Sequence, residues 1–183
     1  MKILKLLSII ILPVLLTQNS CSSEEYAPNL LITGENGYNY VQSQKEWSKL
    51  KKRHKNSYQF TVLEQSFSGF GSETTITVVD GDVVSRKYES FRISEEDGSK
   101  EMIDSYFEEN EELGSHSEGW PPEDLDKMYR DCGADYLMVD RETHTLYFDT
   151  NEEGVMTLCG NVPDLCGDDC FEGFSISHFE WLE

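Results

Sequence analysis

Apolar residues are distributed unevenly along this chain, and their spacing changes several times. Residues 6–16 (LLSIIILPVLL) form an almost unbroken apolar block. Nothing later repeats it; from there on, apolar residues come at intervals. Over residues 44–55, Trp47, Leu50 and His54 recur at i, i+3 and i+7, the spacing of one helix face. The opposite face carries Lys45, Lys49, Lys51, Lys52, Arg53 and Lys55. Residues 57–66 alternate Tyr58, Phe60 and Val62 with Gln59, Thr61 and Leu63, the period of a strand. Residues 74–79 are β-branched throughout, and Asp80-Gly81-Asp82 predicts a tight turn into a returning strand over 83–93. Met102, Ile103, Tyr106 and Phe107 among many glutamates predict a helix over 101–113, and Leu125 and Met128 a shorter one over 123–131. Four further strands are expected at 136–139, 145–149, 155–159 and 174–182, with a cysteine-bearing loop at 161–173. The expected fold is α+β: an antiparallel sheet with helices on one face, in the order helix–three strands, then helices–four strands.

The apolar block has its own meaning. Lys2 and Lys5 precede it and small polar residues follow it, which is the layout of a secretory signal peptide over residues 1–20. It is shorter than the roughly 20 residues a membrane-crossing helix needs. Gln18-Asn19-Ser20-Cys21-Ser22-Ser23-Glu24-Glu25 resembles a bacterial lipoprotein signal, with a small residue before the acylated cysteine. Gln18 and Asn19 depart from the usual box, and the acids after the cysteine resemble the looser Bacteroidetes-type form. The expected organisation is therefore a signal at 1–20, a lipidated Cys21 with a flexible tether over 21–43, and one α+β domain over 44–183; a short edge strand or a docking contact through Leu30, Leu31 and Ile32 is the other reading of the tether. Cleavage near Ser20 or Ser22 without lipid is the alternative.

Charge narrows the partners. Residues 22–93 hold nine basic and nine acidic side chains, and residues 94–183 hold four basic and twenty-six acidic. So acidic a body argues against nucleic acid, which is bound by cations that neutralise phosphates. It favours a basic protein or a cation. The basic face of the first helix is expected to lie against the acidic body, with membrane contact as the other use of such a helix. Setting Cys21 aside leaves an even set: Cys132, Cys159, Cys166 and Cys170. An exported chain predicts disulfides. Sequence spacing admits three pairings, with Cys132–Cys159 and Cys166–Cys170 favoured by the short separation of the last two. A zinc site is the alternative, but the C-x6-C-x3-C spacing lacks the usual knuckle.

Trp47, then Ser57-Tyr58-Gln59-Phe60-Thr61-Val62, then Thr75-Ile76-Thr77-Val78-Val79-Asp80-Gly81-Asp82-Val83-Val84 resemble a family of small exported bacterial (Bacteroidetes-type) lipoproteins carrying a domain of unknown function. Gly173-Phe174-Ser175-Ile176-Ser177 resembles that family's closing strand. The resemblance implies an exported helix-and-hairpins domain and no known activity. The family's usual cysteine pair near the first strand is absent here, so its disulfides do not carry over.

Catalytic patterns are scarce. His54, His116, His144 and His178 are isolated, with no H-E-x-x-H spacing and no G-x-S-x-G elbow. Ser68-Gly69-Phe70-Gly71 lacks the following helix of a phosphate loop and reads as a turn. Asp149 to Gly154 matches the start of a calcium loop, but position 12 is Gly160 where a bidentate glutamate is needed, so a hairpin turn is expected. Asp164, Asp168 and Asp169 form a second oxygen cluster, where calcium is the one cofactor considered. Tyr38, Tyr40, Trp120 and Phe171 fall in expected loops and are candidate binding contacts; capping the core is their other reading. The chain is thus expected to be a surface-exposed or periplasm-facing lipoprotein, held to the outer membrane or cell surface through Cys21. Its domain is expected to bind or inhibit without catalysis. A structural envelope component is the alternative, and a hydrolase a distant third.

Overall fold

The computed structural model describes residues 27–183; the signal peptide expected over residues 1–20 and the expected lipidation site Cys21 lie outside the described residues. Two helices, α1 (Tyr40–Arg53) and α2 (Leu125–Asp131), accompany seven strands: β1 (Tyr58–Gln65), β2 (Phe70–Val79), β3 (Asp82–Ile93), β4 (Lys100–Glu109), β5 (His144–Thr150), β6 (Met156–Pro163) and β7 (Glu172–Trp181). All pair antiparallel, in the order β4-β3-β2-β1-β7-β6-β5. The class is α+β. The order is helix–four strands, then helix–three strands, not the expected helix–three then helices–four.

Helix α1 begins at a capping box. Asn39 Oδ1 accepts from Gln42 N at 2.9 Å, and Gln42 Oε1 accepts from Asn39 N at 3.0 Å, satisfying two amides a helix end leaves free. Its apolar face carries Tyr40, Ser43, Trp47 and Leu50 inward. Trp47 is the centre of the core. Its ring stacks on Trp181 (5.6 Å between centroids) and Tyr129 (6.0 Å) and meets the edge of Tyr58 at 5.0 Å. Its indole N–H, which burial would otherwise leave unpaired, donates to Asp126 Oδ1 at 2.8 Å. Leu125 N donates to Tyr58 Oη at 3.1 Å, so α1 and α2 meet at the same tyrosine of β1.

Four expectations need correcting. Residues 101–113 are a strand followed by a short 3-10 turn, because β4 pairs with β3 and sets Glu108 opposite Arg86 and Tyr106 opposite Tyr88. Cross-strand pairing outweighs the helical preference of glutamate. Residues 136–139 are not a strand. A wide π-type turn, Cys132–Tyr136, continues α2. The carbonyls of Leu137 and Val139 are satisfied by the Asn29 amide at 2.7 and 2.9 Å instead of by a neighbouring strand. That bond also shows that the segment expected as a tether is built into the domain from residue 27 onward. Asn29 is buried, Thr33 bridges Asn39, and α1 starts four residues before the expected boundary at 44. Lastly, the basic face of α1 does not lie against the body. Lys51 alone reaches across, to Asp126 at 2.7 Å; Lys49 pairs with Glu46 of its own helix, and Lys45, Lys52, Arg53 and Lys55 are exposed.

Cys132 and Cys159 are joined across the core, tying α2 to β6 with Cα atoms 5.8 Å apart. Cys166 and Cys170 close the β6–β7 loop, with Cα atoms 6.2 Å apart. Among the described residues, no helix is long and apolar enough to cross a membrane.

Replacing Trp47 with Ala should cost about 3–5 kcal/mol, because it empties a site lined by aromatic rings and leaves Asp126 without its indole partner. Val41→Ala, on the half-exposed side of the same helix, should stay within about 0.5 kcal/mol. Urea unfolding of both variants reads the difference directly.

Candidate functional site

β7 divides its pairing between two neighbours. Its first half, Glu172 to Ser175, pairs with Asn161 to Leu158 of β6. Its second half, Ile176 to Trp181, pairs with Val62 to Tyr58 of β1, through a bulge at Thr61/Val62. Gly173 sits at φ 147°, and a Cβ there would lie 2.1 Å from the Cys159 carbonyl oxygen. Only glycine permits so close an approach to β6. Past the last pair, Val62 and Ile176, β1 and β7 part.

The space between them is an open cleft of about 1100 Å³, just above the range of about 300–1,000 Å³ typical of ligand sites. Leu63, Glu64, Gln65 and Ser66 line one side, and Phe171, Gly173, Phe174 and Ser175 the other. Phe70, Ile103, Tyr147 and Phe171 border it and are 40–57% exposed. Tyr147 meets the edge of Phe171 at 6.0 Å, and Phe171 rests on the bare backbone of Gly160. Glu64, held by Ser72 Oγ at 3.0 Å, and Asp169 are its charged groups; no Lys, Arg or His lines it.

A second polar feature lies on the outer strands. Arg86 and Glu108, both buried, form a two-pronged pair: Nε to Oε2 at 2.8 Å and Nη2 to Oε1 at 3.0 Å. Arg86 also donates to the carbonyls of Trp120 (3.1 Å) and His116 (2.8 Å). Glu108 accepts from Gly114 N, Ser115 Oγ, His116 N and His116 Nδ1 at 2.7–3.1 Å. Burial pushes the Glu108 carboxyl up, but these donors outweigh it and hold the group well below the usual carboxylate range. Tyr106 is stacked between Tyr88 (5.0 Å) and His116 (4.1 Å). A carboxylate holding histidine Nδ1 is the orienting half of a nucleophile-activating triad. Here the carboxylate is already committed to Arg86, and the neighbouring hydroxyl, Ser115 Oγ, faces Nδ1 at 3.2 Å and not the free nitrogen. The cluster pins residues 113–120 onto β3 and β4, where Gly119, at φ 72°, lies against Tyr88 and Thr74.

The residues singled out from sequence are scattered. Phe171 and Asp169 line the cleft. Tyr40 is buried and donates to the Tyr129 carbonyl at 2.9 Å, Tyr38 packs against Gly154, and Trp120 meets the edge of Phe174 at 5.7 Å; these three belong to the core and its margin. Asp164 accepts from Thr145 Oγ1 at 3.1 Å, and Asp168 is exposed in the cysteine loop. Asp149 Oδ1, at the end of β5, accepts from Glu35 N and Thr150 N. Among the described residues, no group of three or more His, Cys, Asp or Glu side chains is placed to hold a metal ion. The Arg86–Glu108 pair has no local signature, because the glutamate-rich pattern of residues 101–113 predicts a helix and conceals the cross-strand register. The cleft has none either, because strand divergence leaves no local signal. The chain matches no family model, no curated protein and no solved structure.

Arg86→Ala should destabilise by about 3–5 kcal/mol, since it leaves a buried carboxylate unpaired, whereas Arg86→Met with Glu108→Leu should cost markedly less. Because the folded-state carboxyl sits below its ordinary value of 4.5, its contribution is complete above that value and is lost as pH falls through and below it. Urea midpoints at about pH 7 and about pH 3 should therefore differ more for the parent chain than for Glu108→Gln.

Proposed function

We propose that this chain is an exported lipoprotein, anchored through an acylated Cys21, whose folded domain is a non-catalytic binding module with the β1–β7 cleft as its binding site. The cleft carries this reading. It combines a cavity of about 1100 Å³ with four exposed apolar side chains on its border and few charges. Apolar surface gathered around a concavity is costly to leave in water and marks a place that something else covers. The buried carboxylate of Glu108 that holds His116 Nδ1 is spent on fixing a loop, which favours binding over catalysis.

The anchor reading rests on the N-terminal pattern and on cysteine parity. With Cys132 bonded to Cys159 and Cys166 to Cys170, Cys21 is the remaining thiol of five. The disulfides suit an oxidising compartment outside the cytoplasm. The outer membrane or cell surface is the proposed location, with the domain facing the periplasm or the exterior.

Radiolabelled palmitate fed to expressing bacteria should label the chain, and Cys21→Ala should abolish the label and release the protein from the membrane fraction. An unlabelled parent chain would sink the anchor. For the cleft, a neutral apolar dye such as Nile red should brighten with the parent chain and not with Ser175→Trp, whose indole fills the opening. Equal brightening by both would remove the cleft from the proposal.

A further inference from the structure

The opening between β1 and β7 is more than an apolar hollow, because both of its walls are strand edges. Leu63, Glu64 and Gln65 pair with Glu73, Ser72 and Gly71 of β2 on one side only. Glu172 to Ser175 pair with β6 on one side only. Each wall therefore turns one edge of backbone N–H and C=O groups toward the other, with no strand between them among the described residues. Exposed edges of this kind recruit further strands, and proteins usually blunt the outermost ones with charge or bulges. Here the unpaired edges lie inside the sheet, where they are screened from indiscriminate pairing and still open to one inserted segment.

We infer that the cleft captures an extended, cationic polypeptide segment by strand addition, the guest running between β1 and β7 and completing the sheet where they part. This rests on the cleft being the binding site. Strand addition draws its affinity from main-chain hydrogen bonds and its selectivity from pockets for alternate side chains. One face of the guest would meet Phe70, Phe171 and Tyr147. Its charged positions would meet Glu64 and Asp169, the cleft's two ionic groups, both negative. The surrounding body reinforces that sign, with twenty-six acidic against four basic side chains over residues 94–183, so a cationic segment is attracted before contact and an anionic one repelled. β1 and β7 are antiparallel to each other. A single guest is therefore antiparallel to one wall and parallel to the other, so one edge dominates the pairing.

The test uses the full chain in detergent micelles and a fluorescent peptide alternating Lys with Val. Anisotropy should show binding that weakens with salt. Binding should fall roughly tenfold or more for a peptide N-methylated at alternate amides, for a Glu–Val peptide, and for the Glu64→Lys/Asp169→Lys protein. Amide hydrogen exchange should slow at residues 63–65 and 172–175 when the Lys–Val peptide is present. Thermal unfolding of the double variant alongside the parent checks that it is folded, and Ser175→Trp provides a second, uncharged block. Equal binding of the N-methylated peptide, or protection elsewhere, overturns strand addition. No peptide binding, with Nile red still reporting the cleft, overturns strand addition alone. No peptide binding and no difference in dye response between the parent and Ser175→Trp overturns the cleft as a binding site too.

Discussion

A strand has two edges, and the way β7 uses them governs the rest of this molecule. Along its first half it bonds to β6, and along its second half to β1. The change of neighbour joins β5 and β6 to the four-stranded meander of β1 to β4, and it also forces β1 and β7 apart at one end. Gly173 makes the change possible, since a side chain there would collide with the β6 backbone. The bulge at Thr61/Val62 absorbs the mismatch in register. The cleft is thus a direct consequence of hydrogen-bond geometry and not an insertion or a special loop.

The two ends of the opened sheet are stabilised by different physics. At the closed end, Trp47 gathers Tyr58, Tyr129 and Trp181 into an aromatic cluster that fastens α1 and α2 to β1 and β7. The Cys132–Cys159 link secures α2 to β6 on the same side of the core. On the outer strands, where the apolar core has run out, Arg86 and Glu108 take over. A buried ion pair is costly to desolvate, and it survives here because nearly every donor and acceptor of both groups has a partner. Its effect is to hold residues 113–120 against the sheet.

Charge has a similar division. The basic residues of α1 are mostly exposed at one place, and the acids dominate the second half of the chain. The protein is thus a strong anion, with a net charge of −20, and its field draws cations and basic partners toward it. For a domain proposed to hang from a lipid anchor, that field also reaches the cleft, whose two ionic groups, Glu64 and Asp169, are both negative.

Much of the local structure was legible in the sequence. The spacing of Trp47 and Leu50, the alternation through Tyr58, Phe60 and Val62, and the Asp80-Gly81 turn each specify an element through forces that act over a few residues. The N-terminal pattern and the even cysteine set are equally local. Where the reading failed, a distant partner decided. Met102 to Phe107 became a strand because β3 offered an edge and Arg86 a counter-ion, and residues 27–43 joined the domain because Asn29 found the carbonyls of Leu137 and Val139. Phe171 and Asp169 stood out in the sequence as a loop aromatic and a loop acid, but their meeting with Glu64 and Phe70 needed the fold. Sequence alone thus determined α1, the hairpin strands and where charge accumulates, since periodicity and composition are properties of neighbours in the chain. Only the tertiary structure decided that β1 and β7 separate, because those two strands meet through residues more than one hundred positions apart, beyond the reach of any local pattern.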